Sequence, residues 1–319
     1  MRTALTRAFV AIVLAGLSHA VLAQTWPAKT IRLVIPFPVG GSSDANARII
    51  MPPLTERWKQ QIIVDPRPGA GTVIGTDHVA KSAPDGHTLL LTSNQYCYTP
   101  VVYAKLPYDY HTDLVPITIV TISPQAIVAH PSLPAKNIRE LIALARARPG
   151  QLNVGTAGSV LPVYFLNLVG KVKVEPVPYK GAGPLMTDAM GGHVPLAIAA
   201  VSSVQSAVRS GRVRIIGITS STPSVLFPDA ALVTKDYPEY EVLAWFALMA
   251  PKGTSREIVS RVRDDVAAVI QMPDVRQRLL DIGGEPSGMS SEEFAARVRA
   301  DIAKWQKVAA AVGLKPQQY

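Results

Sequence analysis

The residues best suited to chemistry form a short run rich in glycine and serine near the start of the chain. Ile31–Ile35 is typical of a buried strand, and the prolines and glycines of residues 36–41 end it. Ser42, Ser43 or Asp44 can then cap a following helix. Backbone N–H groups at a glycine turn and a helix N-terminus attract anions, so the run predicts a cradle for a small carboxylate. By itself, the same pattern more often marks only a tight connection in an α/β fold.

Cysteine, histidine and serine offer no catalytic or metal-binding pattern. Cys97 is the only cysteine, and the histidines are scattered without paired spacing. No G-x-S-x-G motif is present, and Ser42, Ser43 and Ser159 have no evident base. We therefore expect no catalytic residue, no metal site and no cofactor.

The N-terminus has the pattern of a cleaved export signal. Arg2 and Arg7 precede an apolar run shorter than about 20 residues, and Val21-Leu22-Ala23 is typical of a cleavage site. Residues 1–23 are therefore predicted to be a signal peptide, which would place the mature protein in the periplasm of a Gram-negative host. Its removal lowers the formal charge from +9 to +7. The remaining basic residues are interleaved with acidic ones, which argues against nucleic-acid binding.

Short apolar segments alternate with helical patterns along the rest of the chain, which predicts an α/β fold. Most expected strands are near-continuous runs of Val, Ile and Leu, as in strands covered on both faces. They are residues 31–35, 62–64, 88–92, 117–121, 126–129, 152–155, 172–177, 196–201, 213–219 and 243–250. Capping patterns predict helix starts near Asn137, Ser255 and Ser290, and Pro52-Pro53 is expected to break or kink the first helix. No strand is expected after residue 254.

Two of these strand regions, near residues 121–129 and 243–250, are expected to carry the chain between two lobes. Lobe 1 is predicted to comprise residues 24–125 together with 245–319, and lobe 2 residues 126–244. Ordered strands make short, stiff hinges, so a cleft between the lobes would open and close without either lobe unfolding.

A series of short motifs runs in order along the whole mature chain. They are residues 26–44, 66–71, 83–90, 106–109, 134–136, 149–153, 177–181, 191–194 and 248–251. In this order they resemble the Bug family of extracytoplasmic solute receptors, the substrate-binding subunits of tripartite tricarboxylate transporters. Each motif alone is weak, but their sequence is specific.

The resemblance implies an α/β periplasmic binding protein of two lobes, the Venus-flytrap architecture of type II, with a ligand in the cleft. In that family one loop from each lobe holds a carboxylate through main-chain amides, hydroxyls and water. The ligand-binding residues it implies are Phe37, Pro38, Gly40, Gly41, Ser42, Ser43 and Asp44 in the first loop and Gly155, Thr156, Ala157, Gly158 and Ser159 in the second. Asn94, Tyr179 and Ser202 are further candidates, and Tyr179 is preferred to Lys180.

Two departures from the family pattern bear on the ligand. Residues 159–164 are shorter and more apolar than usual, and Ala199-Ala200 replaces a commonly acidic or amide pair. Both remove polar partners, so we expect an aromatic or apolar monocarboxylate, with Val160, Leu161 and Tyr164 as contacts.

The resemblance also implies the partners of the protein. We expect a monomeric receptor without enzymatic activity that delivers its ligand to the membrane permease subunits of a tripartite transporter. A ligand-loaded sensor that docks to a membrane signalling protein is the alternative, and an exported hydrolase is a less favoured one.

Overall fold

A computed structural model describes residues 26–318, so the predicted signal peptide lies outside the described residues. The strands are β1 (Ile31–Ile35), β2 (Ile62–Pro66), β3 (Thr88–Ser93), β4 (Leu114–Ala129), β5 (Asn153–Ala157), β6 (Glu175–Tyr179), β7 (Leu196–Ala200), β8 (Arg214–Ile218), β9 (Leu243–Pro251) and β10 (Glu285–Pro286). The α-helices are α1 (Ser42–Trp58), α2 (Val73–Ala80), α3 (Gln95–Val102), α4 (Ile138–Ala147), α5 (Leu161–Gly170), α6 (Ala182–Met190), α7 (Val201–Arg209), α8 (Arg256–Ile270), α9 (Pro273–Asp281) and α10 (Ser291–Ala311). Within residues 26–318, no helix is long and apolar enough to cross a membrane.

The long strand β4 joins the two lobes of the molecule. The strands form one mixed sheet in the order β2-β1-β3-β9-β4-β7-β5-β6, with β8 and β10 also paired to β4. Residues 114–124 of β4 pair with β9, whereas residues 125–129 lie between β7 and β8. The sheet therefore changes neighbours at Pro124, and both β4 and β9 lie where the lobes meet. The exact bounds predicted for the lobes stay predictions.

The hydrophobic core joins the lobes on one face of the sheet only. On the other face, α1, α8 and α9 cover the β1 half of the sheet, while a separate cluster under α6 and α7 covers the β7 half. The third cluster runs through both halves, and α10 packs against α3, α5 and β4 within it. The lobes thus share one hydrophobic core on the α10 face, whereas each has its own hydrophobic cluster on the α1 face.

The predicted helix starts at Asn137 and Ser290 are confirmed by their hydrogen bonds. The Asn137 side chain accepts a hydrogen bond from the Glu140 amide, and Ser290 and Glu293 form a complete capping box. Three other expectations are wrong. Residues 117–121 and 126–129 belong to one continuous strand, because pairing with β9 continues until pairing with β7 begins. A short strand, β10, does follow residue 254 and pairs with β4.

The third correction concerns the expected break in the first helix: the helix runs through Pro52-Pro53 as one element. The two prolines lack N–H donors, and an interior proline disfavours a helix by about 3 kcal/mol. Ile50, Leu54 and Trp58 are nevertheless buried on both sides of the pair. Packing against the core of the β1 half therefore outweighs the local preference.

Candidate ligand-binding cleft

A cavity of about 450 Å³ lies between the lobes, where the first turns of five helices from the described chain meet. The lining residues from these turns are Gly41, Ser42 and Ser43 for α1, Asn94 and Gln95 for α3, Ser159 and Pro162 for α5, Gly181, Ala182 and Gly183 for α6, and Ala200 and Ser203 for α7. Each helix N-terminus carries unpaired N–H groups and a partial positive charge. Their convergence contributes positive potential to the cavity through backbone dipoles.

The remaining walls of the cavity are mostly apolar. Phe37, Ile198, Ala199, Ala244 and Phe246 all line it. Of the residues that the structure describes, no Asp, Glu, His or Cys is in the lining, and Lys180 is the one charged side chain there. The cavity therefore suits an anion with an apolar body, and it offers no base to activate a serine.

Two buried side chains hold the loop between β1 and α1 in place. The Gly40 amide donates to Asp44 Oδ2 at 3.1 Å, and Arg48 Nε donates to the same oxygen at 2.9 Å. Burial acts to raise the pKa of Asp44, but the hydrogen bonds from Arg48 and Gly40 outweigh burial and lower the pKa. Asn46 Nδ2 donates to the Ser42 carbonyl at 2.9 Å, and Asn46 Oδ1 accepts from Thr121 at 2.8 Å. The loop is thus braced against its own helix and against β4.

The start of α3 brings amide and phenol groups to the cavity. Asn94 Nδ2 donates to Tyr98 Oη at 2.9 Å, and Ser93 Oγ accepts from the Gln95 amide at 3.2 Å. Burial raises the pKa of Tyr98 well above its ordinary value, so its hydroxyl stays protonated and can donate a hydrogen bond to a ligand. Gln95 reaches across the cleft to the second lobe. Its Oε1 lies 3.5 Å from the position that a Cβ on Gly158 would occupy.

The end of β5 and the loop after it bring hydroxyl groups from the second lobe. Thr156, Ala157 and Ser159 line the cavity, and Ser159 Oγ accepts a hydrogen bond at 3.2 Å from the amide of Leu161, the first residue of α5. Thr156 is only 2% exposed, and its Oγ1 has no hydrogen-bond partner within the described chain. Since a buried polar group without a partner is costly, this hydroxyl is available to a ligand or water.

The structure brings most of the expected binding residues together. Those that line the cavity are Phe37, Pro38, Gly40, Gly41, Ser42, Ser43, Asn94, Thr156, Ala157 and Ser159. Asp44, Gly155, Gly158, Tyr179 and Ser202 are not in the lining. Asp44 instead holds the first loop through its hydrogen bond from the Gly40 amide, and Gly158 lies beside Gln95.

Gly155, Tyr179 and Ser202 lie outside the lining, and the structure shows where each is placed instead. Gly155 lies under α6, where a Cβ would be 2.3 Å from Leu185 Cδ1, so only glycine fits there. Tyr179 Oη donates to Asp188 at 2.8 Å. Ser202 lines a smaller cavity of about 170 Å³ beside the start of α1.

Tyr179 and Lys180, of which the sequence analysis preferred Tyr179, differ in their placement. Lys180 lines the cleft, and the adjacent Tyr179 faces α6. The apolar contacts expected after Gly158 are also absent from the lining. Val160, Leu161 and Tyr164 do not line the cavity, and Leu161 is fully buried in the core.

Several residues of the lining gave little signal in the sequence. Tyr98 follows Asn94 by four residues, a spacing that places both on one helix face, and this signal was available. Gln125, Ala244 and Phe246 reach the cavity from β4 and β9, where the lobes meet. Their positions depend on strand pairing between distant segments, which local sequence does not reveal.

No group of three or more His, Cys, Asp or Glu residues within residues 26–318 is arranged to hold a metal ion. Cys97 is buried and unpaired in the core, where burial raises the pKa of its thiol. The chemistry of the cleft is therefore that of neutral dipoles, one ammonium group and apolar walls.

The fold and the cleft together define a two-lobed periplasmic binding protein. This α/β architecture is shared with solved structures. Rpa4515 of R. palustris, solved with adipate, superposes with a TM-score of 0.83 at 31% sequence identity over 92% of this chain and 100% of that one. The periplasmic binding protein BugD superposes with a TM-score of 0.79 at 28% identity over 92% and 100% of the two chains.

Residues 46–314 match the family model described as the tripartite tricarboxylate transporter family receptor. The chain belongs to this family of solute receptors. Protein BugT of Bordetella pertussis is 35% identical over 315 residues, which cover 95% of each chain. The resemblance to the Bug family that the sequence motifs indicated is thus confirmed.

Proposed function

We propose that this protein is an extracytoplasmic receptor that binds a small carboxylate-bearing organic anion between its lobes and delivers it to the permease of a tripartite transporter. The observation that carries the proposal is the meeting of five helix N-termini in a cleft whose described lining holds no acidic side chain. Such a lining attracts and orients a carboxylate and would repel a cation. Export to the periplasm by the predicted signal peptide belongs to the same proposal.

Binding would begin at the braced loop of lobe 1. The amides of Gly41, Ser42 and Ser43 lie at the α1 N-terminus, where no preceding turn supplies a partner. A carboxylate held there would meet Thr156 and Ser159 when lobe 2 closes. Each hydrogen bond to the charged group contributes roughly 1.5–3 kcal/mol once water is excluded. Only the liganded state gains these bonds, so the ligand itself shifts the protein toward the closed form.

The body of the ligand would lie against the apolar walls. Ala199 and Ala200 line the cleft, which supports the expectation of an apolar or aromatic body. Phe37 and Phe246 support it as well. Rpa4515 was solved with adipate, which is a carboxylate. This similarity supports a carboxylate ligand for this chain.

The test is a thermal-shift screen of the mature protein after removal of any co-purified ligand. Mono-, di- and tricarboxylates, aromatic acids, amino acids and neutral amide controls would be compared, with hits measured by calorimetry. A ligand that binds only the folded state raises the melting temperature with its concentration. We expect dose-dependent shifts confined to carboxylates. Shifts with neutral controls alone, or turnover of a candidate substrate, would overturn the proposal.

A further inference from the structure

Lys180 is the one formally charged side chain in the described lining of the cleft, and it is not used by the protein itself. It is exposed, and it takes part in no hydrogen bond or ion pair among residues 26–318. Other basic groups of the described chain are engaged: Arg48 is bonded to Asp44, and Lys304 donates to the Glu241 carbonyl. An ammonium group at a binding cleft without an internal partner is free to pair with a ligand.

The residues that follow Lys180 form an open helix N-terminus. Gly181 is the N-cap of α6, has a φ of +129°, and makes no side-chain cap. A Cβ at Gly181 or at Gly183 would meet nothing within 4 Å, so the space above these amides is open. The first turn of α6 thus presents unpaired amides beside the Lys180 ammonium group.

An independent observation in the neighbouring strand points to a ligand at the same place. Thr156 of β5 is paired with Pro178 of β6, two residues before Lys180. Thr156 lines the cavity, and its hydroxyl is buried and lacks a partner within the described chain. A buried hydroxyl without a partner is destabilising, and a hydrogen bond to a ligand oxygen would remove that penalty.

We propose that Lys180 determines the charge of the ligand that this receptor selects. Together with Thr156 and the α6 amides, it would bind a second anionic group of the ligand, at a place distinct from the Gly41–Ser43 amides of lobe 1. The inference rests on the proposed receptor function and deepens it. It favours a dianion with an apolar middle over the monocarboxylate that the sequence suggested.

The experiment uses matched pairs of anions that differ by one carboxylate. Adipate is compared with hexanoate, and terephthalate with benzoate, by calorimetry at pH 7.5 on the ligand-free mature protein. The variants are Lys180→Met and Thr156→Val. The control is Lys136→Met, which removes the same charge from an exposed residue of the region predicted to be lobe 2, outside the cleft.

We expect the wild type to bind one dianion at least tenfold more tightly than its matched monoanion. Lys180→Met should remove most of that preference, because it should weaken the dianion about tenfold more than the monoanion. Lys136→Met should behave as the wild type, and Thr156→Val should weaken the dianion more than the monoanion. Raising the salt concentration should weaken dianion binding less in Lys180→Met than in the wild type.

Other results would overturn the inference. They are equal binding of the two members of each pair by the wild type, equal losses for both members in Lys180→Met, or no binding of either dianion. The proposed function is tested separately, by the wider screen for a carboxylate that binds. A monoanion bound through an apolar body would leave the receptor function intact and remove the role of Lys180.

Discussion

At the residue scale, Asp44 acts on the cleft without lining it. Its carboxylate accepts a hydrogen bond from the Gly40 amide at 3.1 Å and so fixes the turn that precedes the α1 amides. Asp44→Ala would release this turn. Because binding would then have to order the loop, we expect carboxylate affinity to fall about tenfold, equivalent to about 1.4 kcal/mol.

The matched control for Asp44 is its ion-pair partner. Arg48→Met removes the bond to Asp44 but leaves the Gly40 amide bonded, and Arg48 is largely exposed. We expect its affinity to stay within about twofold of the wild type, since the Gly40–Asp44 hydrogen bond that fixes the turn is retained. Calorimetry with the tightest ligand of the screen measures both variants. Equal affinities of Asp44→Ala and the wild type would show that the loop is held without Asp44.

At the element scale, a buried carboxylate connects α1 to α8. Asp265 of α8 is 2% exposed and accepts hydrogen bonds from Trp58 Nε1 at 2.8 Å and Arg261 Nε at 2.7 Å, and it is also bonded to Arg57. This link fastens the end of α1, the helix whose start lines the cleft. It helps to explain why α1 continues past its two prolines.

Asp265→Asn should lower the free energy of unfolding by about 2 kcal/mol, because it weakens hydrogen bonds to a charged group. The adjacent Asp264→Asn is the control. Asp264 pairs with Arg263 at the surface with a 61% exposed side chain, so we expect a change of less than about 0.5 kcal/mol. Urea unfolding at pH 7 measures both. Equal effects of the two variants would contradict the role of Asp265.

The contribution of Asp265 should depend on pH. Burial acts to raise the pKa of Asp265, but hydrogen bonds from Arg57, Arg261 and Trp58 together outweigh it and lower the pKa. A folded-state pKa below the unfolded value of about 3.9 stabilises the protein above that pH, and this stabilisation is lost as the pH falls through the folded pKa. The stability difference between Asp265→Asn and the wild type should therefore be full at pH 7 and shrink below about pH 4. A difference that persists unchanged at pH 3 would exclude this origin.

At the scale of the whole molecule, the lobes are fused on one face and touch at a glycine on the other. Gly283 follows α9, and a Cβ there would lie 2.8 Å from Leu226 Cδ1 and 2.9 Å from Val201 Cγ2. Both contacts belong to the region predicted to be lobe 2. The absence of a side chain at Gly283 therefore permits the close approach of the lobes on the α1 face.

Gly283→Ala should act as a wedge between the lobes. We expect a larger radius of gyration in solution scattering and weaker ligand binding, since closure becomes less favourable. Gly313→Ala is the matched control. Gly313 has a φ of +66°, close to the +69° of Gly283, but a Cβ there would meet nothing within 4 Å. Both variants share the backbone strain, so an equal loss of affinity in the two would show that the wedge has no effect.

Much of the architecture was predictable because it depends on local patterns. β1 has the predicted bounds, and the caps at Asn137 and Ser290 form as expected, because apolar runs and side-chain capping act over a few residues. The ordered motifs also sufficed to identify the family. By contrast, α1 continues through Pro52-Pro53 because distant elements pack against it.

The sequence by itself determined the fold class, the family and the two loops that hold the candidate site. Only the tertiary structure decided which neighbour faces the cleft: Lys180 rather than Tyr179, and Ser203 rather than Ser202. At the end of a strand or the start of a helix, adjacent side chains point in different directions, so a shift of one residue moves a side chain out of the cleft. The placement of Gln125 and Phe246 likewise depended on how β4 and β9 pair across the lobes, a long-range arrangement that no local pattern encodes.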